Sequence, residues 1–215
     1  MKTGLHEGDY MTKLARNIFR IAACLIFSAL VAGCASLDQK VTLLYQPVVK
    51  SAHGTGDVYL ATAKEESWQG KPGTIQWVVG KVKDSRSGRE GEILTSIAPG
   101  DLVIDALKEE LTAAGYSIIL VNALQPEVNR GIVITRTDLK LDEDSSIIKA
   151  DGSSRLTTSM ELWKNGKKFK KIDYESRYSD IAVRDRDLLL PNILQNTMQD
   201  LMKQAVPDLV KELGS

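Results

Sequence analysis

The chain has 215 residues, 43% of them hydrophobic, with 28 Lys+Arg balanced by 28 Asp+Glu for a formal net charge of zero. That length suits a single domain with a sizeable core. The balanced charge gives no global electrostatic reason to bind nucleic acid.

Residues 1–10 include Glu7 and Asp9 and read as an addition before a conventional start at Met11. Lys13, Arg16 and Arg20 then make a basic stretch, followed by an apolar run over residues 21–30. As a helix that run spans about 15 Å. This is half of the ~30 Å hydrocarbon core of a bilayer, so it reads as a signal-peptide apolar region and not as a membrane span. Val31-Ala32-Gly33-Cys34 comes next. A basic, then apolar, then small-residue pattern ending in Cys resembles the lipobox of bacterial lipoproteins.

That resemblance implies cleavage between Gly33 and Cys34, with a diacylglycerol and an N-acyl chain on Cys34. Two or three acyl chains make detachment negligible, whereas one gives only reversible binding. No Asp follows Cys34, which by the same resemblance implies the outer membrane, facing the periplasm. The expected organisation is therefore a signal peptide over residues 1–33, a lipidated tether over 34–40 and one domain over 41–215. Cys24 leaves with the signal, so no free thiol remains to form a disulfide. The six residues from 35 to 40 reach roughly 20 Å when extended.

Residues 41–46 read as a strand ended by Pro47, residues 57–63 as a second strand and residues 74–83 as a third. Residues 84–92 read as a polar turn. A helix opens at Pro99 and runs to about Ala114, with Asp101 in its first turn. Its buried stripe is Val103, Ala106, Leu107 and Leu111; Lys108, Glu109 and Glu110 fall off the stripe or at its border. Gly115 stops it, and the apolar residues 116–121 predict a central strand.

Residues 131–141 predict a strand that begins buried and ends half exposed, followed by the acidic loop 142–146. Residues 154–163 alternate, and Asn165-Gly166 predicts a type I′ hairpin. Lys164 then lies opposite Lys167, Leu162 opposite Phe169 and Glu161 opposite Lys170. A change of apolar phase after Phe169 predicts a bulge. A long helix follows over residues 188–205, lined by Leu190, Leu194, Thr197, Leu201 and Ala205, with Pro207 restarting a short terminal helix. The expected fold class is α+β: a two-layer sandwich of one mostly antiparallel sheet with two helices packed on one face.

The lipobox, the strand end Val82-Lys83-Asp84-Ser85-Arg86, the helix-Gly-Tyr segment over 102–118, the Trp163-Lys164-Asn165-Gly166-Lys167 hairpin with Tyr174 and Tyr178, and the Leu-rich last helix together resemble the YajG-type lipoproteins of Gram-negative envelopes. The resemblance implies an outer-membrane lipoprotein without transferable catalytic residues.

Candidate chemistry is sparse. His53 is the only histidine after the signal's first residues, and no nucleophile motif of the G-x-S-x-G kind accompanies it; no catalytic residue and no metal site is expected. Gly54-Thr55-Gly56 lacks the third glycine of a dinucleotide fingerprint, and Gly70-Lys71 lacks Walker spacing; both read as turns. Asp142, Glu143 and Asp144 lack the glycine and terminal Glu of a calcium loop and read as a solvated hairpin end. Asp84 and Arg86 bracket a strand end and are candidate partner contacts, although Asp84 as a turn cap is the plainer reading. Lys167, Lys168 and Lys170, with Lys164 and Lys171, suit an anionic lipid or peptidoglycan contact, or protection of an edge strand.

The functional expectation is a non-enzymatic envelope lipoprotein without cofactor, held to the membrane by its acyl chains. Its partner is an envelope protein, peptidoglycan or lipid. The alternative is an accessory subunit of an envelope transport or cell-wall assembly complex. The sequence leaves the oligomeric state open.

Overall fold

The computed structural model describes residues 37–49, 54–62 and 76–214. The elements in order are β1 (Gln39–Lys40), β2 (Asp57–Thr62), β3 (Trp77–Asp84), β4 (Arg89–Thr95), α1 (Pro99–Ala113), β5 (Ser117–Leu120), β6 (Arg130–Ser145), β7 (Ala150–Lys164) and β8 (Lys167–Ala182). A 3-10 turn, Arg186–Leu188, leads into α2 (Leu189–Gly214).

β6 is the backbone of the sheet. One of its edges pairs antiparallel with β7 over its whole length, from Arg130 opposite Lys164 to Ser145 opposite Ala150. A strand has only two edges, so its other partners share the second one. β2 takes the start, with Tyr59 to Thr62 beside Gly131 to Ile134. β3 takes the end, with Gly80 to Asp84 beside Leu141 to Ser145. The sheet therefore forks. β5 extends the first arm, and β4 and β1 extend the second. At ~3.3 Å per residue the 16 residues of β6 span about 50 Å.

This is an α+β fold, as expected from sequence, with an eight-stranded sheet that is mixed because short parallel pairs join the antiparallel ladders. The two long ladders are antiparallel, but both arms join β6 through parallel pairs. α1 packs on β2, β5 and β6, α2 packs mainly on β7 and β8, and the two helices touch.

Period-2 alternation builds the core. β7 buries Ala150, Gly152, Ser154, Leu156, Thr158, Met160 and Leu162. α2 covers them with Ile193, Leu194, Met198, Leu201 and Met202. Gly152 lies directly under α2: an added Cβ would meet Ile193 Cδ1 at 2.4 Å. The predicted α1 stripe of Val103, Ala106, Leu107 and Leu111 is buried, as is the α2 face of Leu190, Leu194, Thr197, Leu201 and Ala205.

Several expected elements differ. Residues 41–46 form no strand; β1 is the pair Gln39–Lys40, read from sequence as tether. The polar stretch read as one turn is shorter, and Arg89–Thr95 is a strand whose Ile93 and Leu94 are buried. Residues 142–145 continue β6. β5, expected to be central, pairs only with β2 among the described residues, and Leu120 is 51% exposed. Pro207 does not interrupt α2, whose buried face continues through Val206, Leu209 and Leu213.

The Asn165-Gly166 turn has φ of 48° and 71°, as a type I′ turn requires. Lys164 pairs with Lys167 as expected, but Leu162 pairs with Lys170 and Trp163 with Lys168. Phe169 is thus itself the bulged residue, which corrects the Leu162–Phe169 and Glu161–Lys170 pairs.

Candidate functional site

α2 covers one face of β7 and β8, and no helix among the described residues covers the other. On that other face the register aligns side chains in rows across four strands. Lys81 of β3 lies beside Asp142 of β6 and Lys83 beside Asp144. Asp142 is opposite Ser153 and Asp144 opposite Asp151 on β7, and these lie opposite Ser179 and Ile181 on β8. A hollow of about 830 Å³ is lined by these residues near the Ser145 end of β6. Two smaller hollows continue it, past Arg155 and Arg177 and then past Arg136 and Asp173. Together they make a trough along the ladder, with charged and hydroxyl side chains in its lining.

The trough carries both signs of charge. Lys140 Nζ lies 3.0 Å from Asp142 and Lys149 Nζ 2.9 Å from Asp151. Glu175 receives Arg177 Nε at 2.5 Å and Arg155 Nε at 3.0 Å; these bonds, Arg177's first, hold its carboxyl below the usual range. Asp144 accepts a hydrogen bond from the Ser85 hydroxyl. Lys81 and Lys83 form no ion pair among the described residues, so their ammonium groups remain available at the mouth of the trough. Paired charges with hydroxyls between them suit a polar, hydrogen-bonding ligand.

Beneath the trough floor, Glu143 points to the covered side and is 5% exposed. Its Oε1 accepts from Gln39 Nε2 at 3.2 Å, while Oε2 has no partner among the described residues. Burial holds this carboxyl above the usual range, against the opposing pull of the Gln39 bond and the Arg186 charge.

The sequence-predicted contacts fall at opposite ends of the ladder. Asp84 pairs in register with Ser145, whereas Lys164 pairs with Arg130. About 50 Å of strand separates them, so Asp84 and Arg86 share no site with Lys167, Lys168 and Lys170. Asp84 caps its own turn: Oδ1 accepts from the Arg86 N–H at 2.9 Å and Oδ2 from the Ser87 hydroxyl at 2.6 Å. The Ser87 bond first, then the Arg86 bond, lower its pKa. Arg86 itself is exposed. At the hairpin, Lys168 reaches Glu161 at 3.0 Å, Lys170 reaches Glu212 of α2 at 2.7 Å and Lys171 reaches Asp173 at 3.9 Å. Lys164 and Lys167 are exposed.

Gly33, Cys34 and His53 lie outside the described residues, as do Cys24, His6 and the Gly70-Lys71 turn. Asp142 and Asp144 face the trough and Glu143 the opposite side, so the acidic triplet is split by the sheet and is not a hairpin end.

Sequence reasoning missed Glu110. It is fully buried and accepts hydrogen bonds from the Tyr45 hydroxyl, the Val48 N–H at 2.8 Å and the Val49 N–H at 2.9 Å. Its place seven residues after Val103 puts it on the α1 stripe, and that spacing was the available signal.

Neither a family model nor a curated protein matches the sequence. Among solved structures, a minor lipoprotein from Acinetobacter baumannii is similar at 12% identity and a TM-score of 0.43, over 77% of this chain and 95% of that one. A Xanthomonas campestris protein of the DUF330 family is similar at 9% identity and a TM-score of 0.48, over 83% and 97%. A Helicobacter pylori homolog of a neuraminyllactose-binding hemagglutinin is similar at 12% identity and a TM-score of 0.45, over 79% and 91%. At these scores no property of the three proteins is carried over.

Proposed function

We propose that the protein is a lipid-anchored lipoprotein of the Gram-negative outer membrane, facing the periplasm, and that it acts as a non-enzymatic binding module. The anchor is Cys34, and the binding surface is the charge-lined trough over β3, β6, β7 and β8. The lipobox-like pattern ending at Cys34 and the YajG-like order of motifs support the anchor.

The observation that carries the binding reading is the trough itself: a concave surface with rows of Lys, Asp and Ser that no helix among the described residues covers. A catalytic reading needs a titrating pair facing one space. Glu143, the raised carboxyl nearest the trough, faces the other way. A polar envelope component, held by charge pairs and hydroxyls, is the ligand this surface fits.

Two measurements test the reading. Intact mass of the protein extracted from the outer membrane should show cleavage before Cys34 and three acyl chains. A photo-crosslinking side chain at Ser153 should give one dominant adduct in intact cells. Finding an unprocessed chain, or none but scattered adducts, would count against the anchor or the trough respectively.

A further inference from the structure

Four large apolar side chains crowd one end of the ladder. Ile147 and Ile148 form the tip of the β6–β7 turn and are 72% and 73% exposed, while Val183 and Leu188 beside them are 62% and 52% exposed. The register puts them together. Ala150 pairs with Ala182, so the turn and the segment after β8 leave the sheet side by side. Arg186 then fastens the two: its guanidinium donates to the Ser146 carbonyl at 2.6 Å and to the Ile147 carbonyl at 2.8 Å. A short side chain or a charge would serve this turn equally well for folding, since none of the four is needed by the core. Clustered exposed apolar groups mark an interaction surface.

The path of the chain identifies what this surface meets. β1 runs parallel to β4, with Gln39 beside Ile93, and Leu37 lies against Gly91. Gly91 pairs with Val82, and Val82 with Glu143. The chain therefore enters the sheet two residues short of Ser145, at the same end as the apolar tip. Only three peptide links separate Leu37 from Cys34, a reach of about 10 Å. Three strand spacings, about 14 Å, separate β1 from β6 across the sheet. A bilayer holding acyl chains on Cys34 thus lies within reach of the tip.

We infer that Ile147, Ile148, Val183 and Leu188 form a second membrane contact, inserting at the headgroup boundary and standing the ladder upright on the bilayer. The inference rests on the proposed anchor at Cys34. The tip carries Lys149, Arg184 and Arg186 but also Asp185 and Asp187, so the apolar groups and not net charge drive the contact, and it needs no anionic lipid. The upright ladder carries the Asn165-Gly166 hairpin, with its lysines, about 50 Å away from the membrane. That placement removes lipid headgroups of the anchoring membrane as a target for Lys167, Lys168 and Lys170.

The test uses the full chain, expressed with its signal and reconstituted into phosphatidylcholine vesicles. An environment-sensitive nitrobenzoxadiazole probe is placed on Ile148→Cys, and in a separate protein on Leu120→Cys, an exposed apolar position level with Ile132 at the far end; both carry Cys24→Ser, and the same chain without the added Cys is labelled in parallel so that dye on any unacylated Cys34 is subtracted. The expected result is a blue-shifted probe at 148, quenched roughly twofold or more by brominated lipid as for a group ~5–10 Å into the interface, and an unquenched probe at 120. Acyl mass on the same sample reads the anchor independently.

An acylated chain whose 148 probe matches the 120 probe overturns the inference and leaves the anchor standing. A 148 probe that is blue-shifted but not quenched by lipid also overturns it, by showing a protein contact. Quenching at both positions overturns the upright orientation. An unacylated chain whose 148 probe is still quenched supports the tip and removes the anchor; an unacylated, unquenched chain removes both. Should labelling at 148 disturb the turn, a Val183→Cys probe repeats the reading.

Discussion

The Tyr45 hydroxyl donates a hydrogen bond to the buried carboxylate of Glu110, and through it the segment after β1 is fastened to α1. The same carboxylate takes the N–H groups of Val48 and Val49, and Gln199 of α2 donates to the Gln46 carbonyl at 3.1 Å. Burial first, then the Glu110 bond, raises the Tyr45 pKa. An otherwise irregular segment is thereby held across both helices.

Glu110→Ala should destabilise the domain by about 2 kcal/mol, because it strands two half-buried backbone donors as well as the tyrosine. Tyr45→Phe should cost only about 1 kcal/mol, since the carboxylate keeps its other donors. Urea unfolding of both variants measures the difference. Equal losses would mean that Tyr45, and not the backbone pair, anchors the segment.

Glu143 sets a pH dependence of definite sign. Its folded-state pKa is raised by burial, so the folded protein holds the proton more tightly than the unfolded chain. Stability from this group is therefore greatest at low pH, and it falls as pH rises from the ordinary carboxylate range through the raised value. Glu143→Gln removes that slope. At neutral pH the variant should be at least as stable as the parent, while below the usual carboxylate pKa the parent regains its ground. Thermal unfolding across that range checks the crossing.

Gly80 sits at the irregular step of β3, where an added Cβ would meet the Leu141 carbonyl oxygen at 1.7 Å. Glycine in a strand often marks such a close backbone approach. Gly80→Ala should push β3 off β6 and cost about 2 kcal/mol or more, of the order seen for overpacking. Gly88→Ala, whose Cβ would meet nothing within 4 Å, carries only the cost of its positive φ and should be milder. Amide exchange should show the Gly80 loss concentrated in β3, β4 and β1.

The lysine hairpin should contribute little to folding. Lys168 and Lys170 have carboxylate partners, but all of these groups are solvent-accessible, and exposed pairs of this kind are screened by salt. Reversing Lys164, Lys167 and Lys171 together should leave the melting temperature nearly unchanged. Retained binding to isolated envelope material by a variant in which Lys168 and Lys170 are reversed as well would remove the hairpin as a contact surface.

Helix periodicity made both helices and most of their buried faces legible, Thr197 included, whose hydroxyl donates to the Ile193 carbonyl at 2.8 Å; it missed Glu110 on α1 and the continuation of α2 past Pro207. The Asn165-Gly166 turn was equally legible, because only a few residues tolerate two successive positive φ values. The forked sheet was not. Which half of β6 takes β2 and which takes β3 depends on pairings between residues more than sixty positions apart, and period-2 alternation is silent on partners.

The charged start of Arg89–Thr95 hid a strand whose buried end is only Ile93, Leu94 and Thr95. Leu120, read as central, lies at the edge of the described sheet for the same reason: apolar composition does not give position in a sheet. Asp84 was legible as a turn cap. The trough was not, because its residues come from four strands and each looks like an ordinary solvated side chain in its own segment.

The most direct test of the account is site-directed photo-crosslinking in intact cells, comparing Ser153 and Ser179 in the trough with Lys108 on the exposed side of α1. The account predicts one strong adduct shared by the two trough positions, lost when Lys81 and Lys83 are both changed to Glu, with nothing at Lys108. Adducts of equal strength at Lys108, or trough adducts indifferent to those lysines, would contradict a binding module built on the open face of the sheet.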